Sequence, residues 1–363
     1  MADIKYKKDV YKCVIKTLSP IHIGCDEVYE PTGFVIDENN KKMIAFEPFS
    51  FFEKLSAIEK KNFSDICLEG TPASIIKIYK FFKGKDRFAQ GRKIDLSNGF
   101  INHYNDIMRI STSEIWQLKK QLNSFTIGRT SFLSYDQNPY IPGSSVKGSI
   151  RTACLNLMQQ QEKLPKHNSR DHKKLEQELL DYTSFNFKDD PFSKIKVGDF
   201  SPVGEVKTKI SYAINLKKGT PETLGKGPYQ ILEIIERGAA FEGMISVDGD
   251  KVCGDSLPTI INMFYKKEKD KEDRELKQIN IPAVQKVSNS GIIRIGRHCG
   301  AESVTIEGQR SIKITRGPKN PPIYGESATT LWMSSDDKKR PVNPVPFGWA
   351  EISFTKKFSD NFG

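Results

Sequence analysis

Residues 10–18 alternate Tyr11, Cys13 and Ile15 with Lys12, Val14 and Lys16, the period-two pattern of a strand with one buried face, and the run stops at Ser19-Pro20. The glycine- and proline-broken stretch IHIGCDEVYEPTGFVID then returns into a short strand over 34–36. Glu38-Asn39-Asn40-Lys41 makes a turn, after which 43–46 pairs back as a hairpin. From 48 to 60 the period lengthens to that of a helix, with Phe51, Phe52, Leu55 and Ile58 or Glu59 on one side. Residues 72–82 and 113–122 read as helical too, joined by basic loops such as KGKDRFAQGRK. These helices are expected as an insertion on a sheet scaffold.

The central stretch is YIPGSSVKGSIRTACLNL, residues 140–157, a glycine-broken loop that runs into an amphipathic helix. Ser144 or Ser145 can cap its first turn, and Val146, Ile150, Ala153 or Cys154, and Leu157 form the apolar stripe. Lys147 and Arg151, four residues apart, lie off that stripe near the helix start, where unpaired N–H groups and the dipole favour an anion such as phosphate. Gly143 lets the loop turn. Gly148 costs ~1 kcal/mol of helix propensity relative to Ala; it either allows tight packing on another segment or bares backbone to a bulky ligand.

Beyond a charged, solvated stretch over 159–180, residues 194–199 read as a buried strand end. Pro202-Val203-Gly204 is the expected boundary between an N-terminal unit, 1–203, and a C-terminal unit, 204–363. In the second half, 210–216 alternates as a strand, and 229–235 and 241–247 are expected to form a hairpin about Arg237-Gly238. Leu257, Ile260, Ile261, Phe264 and Tyr265 then keep helical spacing into the charged run KKEKDKEDRELK. Short strands at 291–295 and 350–354 complete the set. This order fits two βαββαβ units side by side, an α+β fold.

The chain has 363 residues, enough for about two domains. Its 56 Lys and Arg against 45 Asp and Glu give a net charge of +11, which favours a polyanionic partner. Its six Cys include no C-x-x-C pair, so a reducing cytoplasm is expected, and neither a secretory leader nor a membrane-crossing apolar run is read. His22, beside the Gly24 turn, could act as a general acid or base on RNA or simply hydrogen-bond backbone or phosphate. His22, Cys25, His298 and Cys299 lack the spacing of a zinc site, and no metal or other cofactor is expected. No Walker A, G-x-S-x-G or H-E-x-x-H pattern appears. The loop Arg294-Ile295-Gly296-Arg297-His298-Cys299-Gly300 combines glycines with cations, as an anion nest or as an ordinary basic turn.

The run YIPGSSVKGSIRTA resembles the P-G-S-S-[LIV]-[KR]-G-x-[IL]-R segment of RAMP proteins, subunits of type III CRISPR effector complexes. TLSPIHIGCDEVYEPTGFVID, DPFSKIKVGDFSP, RIGRHCGAESVT and PFGWAEISF are similar to landmarks of the fifth-subunit family of the type III-A Csm complex, and they span nearly the whole chain. The resemblance implies two ferredoxin-like (RRM-like) RAMP units with helical insertions. It also implies a noncatalytic role at the head of the filament, binding the 3′ part of the CRISPR RNA and supporting its maturation and the assembly of the complex. Carried onto this sequence, it places Gly143, Ser144, Ser145, Lys147, Gly148 and Arg151 on the RNA backbone, and His22 and Gly24 in the family's H-I-G turn. Arg294, Gly296 and Arg297 complete the expected RNA-binding set. The glycine-rich loop of many RAMP C-terminal regions is reduced to Gly296 and Gly300, and no position aligns with the target-cleaving Asp of the sister backbone subunit. The implied partners are CRISPR RNA and other Csm subunits, above all the repeated backbone RAMP subunits, with a host nuclease as a further candidate. The rival expectation is a metal-independent endoribonuclease that uses His22 on precursor CRISPR RNA.

Overall fold

Tyr11, Cys13 and Ile15 all point into the core from the Tyr6–Thr17 strand, as the alternation requires. In the computed structural model, which describes residues 6–111, 115–167, 172–183, 188–221, 223–248, 256–316 and 320–362, that strand is the centre of a six-stranded antiparallel sheet. The strands lie in the order Gly291–Arg294, Trp349–Phe362, Tyr6–Thr17, Ala240–Asp248 and Ile195–Val197, with Ser201–Pro202 also pairing with Ala240–Asp248. Helices Gly143–Glu162 and Leu257–Gln278 bury Val146, Ile150, Ile261 and Tyr265 in the core beneath it. Read along the chain, strand, helix, strand, strand, helix, strand form one ferredoxin-like unit, with the Trp349–Phe362 strand wedged between the fourth strand and the first.

A nine-stranded mixed sheet forms the second layer. Its path runs Gly24–Val28, Ile127–Thr130, Lys226–Ile235, Thr208–Lys217, Gly91–Leu96, Lys42–Phe46 and Phe34–Asp37, with Thr330–Ser335 beside Thr208–Lys217 and Val345–Pro346 beyond it. The helices Pro72–Phe82, Asn98–Met108 and Ile115–Ser124 bury Tyr79, Phe100, Tyr104 and Leu118 against one face. A cluster of Phe46, Phe51, Phe63 and Phe82 lies beside the 34–46 hairpin. The overall class is α+β, as expected.

Three expectations change. The strands expected as a hairpin about Arg237-Gly238 belong to different sheets: Lys226–Ile235 pairs with Thr208–Lys217, whereas Ala240–Asp248 pairs with Tyr6–Thr17. Gly238, at φ +94°, turns the chain between the layers and donates its N–H to the Thr17 carbonyl. The helix expected over 48–60 is two helices, Pro48–Phe52 and Ala57–Leu68, because Ser56 and Glu59 form a reciprocal capping box that starts the second. The expected boundary at 202–204 does not divide the sheets. Ser201–Pro202 and Ile195–Val197 lie in the first sheet with strands from both ends of the chain, and the second sheet also draws on both halves.

Candidate nucleic-acid interface

The Gly143–Glu162 helix starts where the sequence placed it but is capped differently. Pro142 is the N-cap residue, neither serine supplies a capping bond, and the Gly143 N–H donates to the Asp199 carboxylate at 2.7 Å. A Cβ at 143 would lie 2.3 Å from the Val197 carbonyl oxygen, so this glycine serves a close backbone approach. The anion favoured by the helix start is therefore already supplied by the chain, through Asp199.

Arg151 is engaged as well. Its guanidinium bonds Glu176 at 2.7 and 3.0 Å and Asp190 at 3.0 Å, and it stacks on Phe192. Burial pulls its pKa down, but Glu176 and Asp190 more than offset that and raise it. The expectation that Arg151 holds RNA phosphate is thus corrected: two carboxylates already neutralise it.

What remains open is the outward face of the first turns. Ser144 and Gly148 are exposed one helical turn apart, Lys147 is partly exposed, and Lys147 forms no ion pair among the described residues. A Cβ at Gly148 would meet nothing within 4 Å. The packing explanation for that glycine therefore fails within this chain, while its cost in helix propensity remains. Burial lowers the Lys147 pKa, with Asp190 opposing.

The two distant glycine loops do meet. The Arg297 N–H donates to the His22 carbonyl at 2.8 Å, and the Arg297 side chain lies over Gly24, where a Cβ would come within 3.0 Å of the guanidinium carbon. Arg297 is more than half exposed, and its nearest carboxylate is Asp26 at 3.8 Å. Gly296, at φ +90°, leaves no room for a Cβ, which would lie 2.5 Å from the His22 oxygen. The helix start joins this neighbourhood through Ser149, whose hydroxyl donates to the Arg294 carbonyl at 2.7 Å.

Two further residues of the expected set are interior. Arg294 is 5% exposed, pairs with Glu272 at 2.7 Å, donates to the Phe347 carbonyl and stacks on Trp349. Its place on the RNA is withdrawn, since it holds the Leu257–Gln278 helix against the sheet. His22 is 1% exposed, with Nδ1 2.8 Å from the Glu233 carbonyl, and burial with Arg297 nearby pushes its pKa down to about 4. A neutral, enclosed imidazole can neither donate a charged contact to phosphate nor shuttle protons to a substrate, so the catalytic and the phosphate expectations for His22 are corrected, and the backbone hydrogen bond is the one of its expected roles that the structure bears out. Glu233, fully buried, ties this region together by accepting from Arg92, from the Tyr29 hydroxyl at 2.9 Å and from the Thr130 N–H at 3.3 Å. Among the described residues no group of three or more His, Cys, Asp or Glu gathers as metal ligands. His298 packs on Trp332 and Phe347, and the Cys299 thiol donates to backbone carbonyls.

The loop-and-helix arrangement falls within the stretch from residue 14 to 297 that matches the family model for the RAMP superfamily. The chain belongs to the RAMP superfamily. This RAMP chain is 27% identical over 272 residues to the CRISPR system Cms protein Csm5 of Streptococcus thermophilus, covering 70% of each chain. It is 29% identical over 144 residues to Csm5 of Methanocaldococcus jannaschii, covering 40% of this chain and 29% of that one. Among solved structures it shares its fold with a chain of the Csm–crRNA–target RNA ternary complex of a type III-A CRISPR-Cas system, with TM-score 0.57, 18% identity, and 94% of this chain and 100% of that one covered. It also matches the crystal structure of T. onnurineus Csm5, with TM-score 0.56, 17% identity, and 93% and 99% covered. No described helix is long and apolar enough to cross a membrane.

Proposed function

We propose that this RAMP chain is a Csm5-like subunit of a type III-A Csm effector complex, holding the 3′ part of CRISPR RNA by its backbone at the head of the filament. In this role it supports maturation and assembly, works in the cytoplasm beside the repeated backbone subunits, and cuts nothing. The observation that carries the reading is Gly148. A glycine inside a long helix, with empty space where its side chain would be, stands beside the unpaired Lys147 and exposed Ser144 on a chain of net charge +11. Those features suit a sugar–phosphate backbone laid against the helix, and a subunit loaded with varied guides needs contacts of that sequence-blind kind. Arg297 over Gly24 adds a second exposed cation, and the names of the two curated relatives agree. The noncatalytic part of the reading is favoured by His22, whose burial removes it as an acid or base.

The test is co-expression with the other Csm subunits, purification through this chain, and sequencing of the bound RNA. Recovery of a subunit complex carrying guide RNA is expected, and recovery of the chain alone with random RNA would refute the role. Incubating the pure protein with precursor CRISPR RNA in chelator should leave the RNA intact; a defined cut would restore the endoribonuclease.

A further inference from the structure

A second surface, away from the Gly148 helix, has the chemistry of a single-strand platform. The helix Ile115–Ser124 buries Leu118 but leaves Trp116 73% exposed. Its neighbour one turn on, Lys120, places its ammonium 5.2 Å from the indole centroid. Opposite stands the start of the Lys226–Ile235 strand. There the pairing with Thr208–Lys217 jumps from Lys226↔Asn215 to Gln230↔Ala213, a bulge that includes Gly227 at φ +73°. The bulge presents Tyr229, whose hydroxyl lies 3.4 Å from Ser124 Oγ and 3.4 Å from His103 Nε2. Lys338 and Lys339 form the third wall, their loop pinned by a bond from the Gly225 N–H to the Lys339 carbonyl. These three segments enclose an open cleft of about 690 Å³.

Its lining is one-sided in charge. Among the described residues Lys120, Lys338 and Lys339 form no ion pair, and no described carboxylate lines the cleft. Burial lowers the Lys338 pKa, with Lys339 adding and Asp106 and Asp337 opposing. An exposed indole that has escaped the core, with a phenol beside it and three unpaired ammonium groups around it, offers a π face for a base and cations for its flanking phosphates. A protein partner would need an acidic apolar patch to satisfy the same walls, whereas unpaired RNA carries both elements in every nucleotide.

We propose that this cleft is a further RNA-binding site, in which an unpaired base stacks on Trp116 while Lys120, Lys338 and Lys339 hold the adjoining phosphates. The site rests on the reading of this chain as an RNA-binding subunit, but it adds residues from three segments that the resemblance did not assign. The strand that floors it also touches the other surface, since Gln230, next to Tyr229, meets His298 Nε2 at 3.2 Å, one residue beyond Arg297.

The test titrates the full-length protein with a fluorescein-labelled 12-nucleotide RNA of mixed sequence, by anisotropy between 50 and 200 mM salt. Trp116→Ala should weaken binding ~10-fold, within the range of single base–aromatic stacks, while Trp116→Phe keeps most of the affinity. Lys338→Ala with Lys339→Ala should flatten the salt dependence by ~1.4, or ~0.7 for each lost phosphate contact on a single strand. A 5-bromouridine oligonucleotide should cross-link to the peptides carrying Trp116 or Tyr229, and a duplex of equal length should compete poorly. Lys147→Ala serves as the reference. If Trp116→Ala binds as wild type while Lys147→Ala is weakened, the cleft proposal is overturned and the function stands. If wild type binds no single strand, the functional reading itself fails and the cleft with it. Intact RNA affinity in Trp116→Ala, together with lost association to another subunit, would make the cleft a protein-docking surface and likewise overturn the proposal.

Discussion

Gly148→Ala separates the folding of the central helix from its use. The residue lies beyond the first turn of Gly143–Glu162, and an added methyl meets nothing within 4 Å, so in the free protein the change should recover the full helix-propensity difference of ~1 kcal/mol. With an unfolding entropy near ~2.1 cal/mol/K per residue and 363 residues, that gain raises Tm by only about 1 °C, which replicate scanning fluorimetry resolves. RNA affinity should move the other way. A backbone seated against bare Cα is pushed outward by the methyl, stretching its contacts to Ser144 and Lys147. The loss of one charge-assisted hydrogen bond, ~1.5 kcal/mol or more, corresponds to about tenfold weaker binding by anisotropy. A more stable protein with weaker RNA binding is therefore expected. A lower Tm would refute the empty-space reasoning, because some part of the chain would then need the glycine. A higher Tm with unchanged affinity would refute the placement of RNA on this face.

Lys147→Ala should reduce the salt dependence of single-strand binding by ~0.7 without changing the melting curve, as judged from the anisotropy series. Arg151→Ala should do the reverse, costing ~1–3 kcal/mol in urea unfolding by stranding Glu176 and Asp190 while leaving the salt dependence intact. Glu233→Ala strands the largely buried Arg92 and should cost ~3–5 kcal/mol, with loss of soluble folded protein as the readout. His22 and His103 are held neutral by burial, with pKa pushed down to about 4 and about 3. Because the unfolded chain binds those protons first, near pH 6.5, their contribution is complete above that value and is lost as pH falls toward 4 and 3. The slope is up to ~1.4 kcal/mol per pH unit for each, and stability that stays flat from pH 6.5 to 4.5 would contradict it.

The periodic elements were legible because burial imposes the period. The helices Pro72–Phe82 and Leu257–Gln278 and the hairpin of Phe34–Asp37 with Lys42–Phe46 stand where their apolar stripes put them. Local pattern could not say which strand joins which sheet. Lys226–Ile235 and Ala240–Asp248 read as hairpin partners, yet long-range pairing sends them to different layers. The Asn98–Met108 helix, capped by Ser97, stands where the sequence pattern predicts no element, and the Ser56-x-x-Glu59 box is the local signal that splits 48–60. At the site, cations in the sequence showed their charge but not their partners. Arg151 is answered by Glu176 and Asp190, and Arg294 by Glu272, from other segments. Asp199, the carboxylate at the helix start, lay within the recognised run DPFSKIKVGDFSP with nothing local to mark its target. Trp116 faces lysines more than 200 residues away, a juxtaposition that only the fold creates.

The strand Tyr6–Thr17 is flanked by Ala240–Asp248 and by Trp349–Phe362, the latter paired from Tyr6↔Phe362 to Thr17↔Ala350 with one register shift between Val10 and Tyr11. On a translating ribosome, at ~5–20 residues per second, it emerges tens of seconds before its last neighbour exists. Both of its edges are unpaired until residues 240–248 follow, and one edge stays open until 349–362 are made, while the apolar face of Tyr11, Cys13 and Ile15 waits for the rest of its cover. Completion of the first layer is thus a late event in synthesis. A ribosome stalled after the Gly291–Arg294 codons would release a chain with the second layer largely made and the central strand of the first open on one side, a species suited to chaperone capture or strand-swapped aggregation.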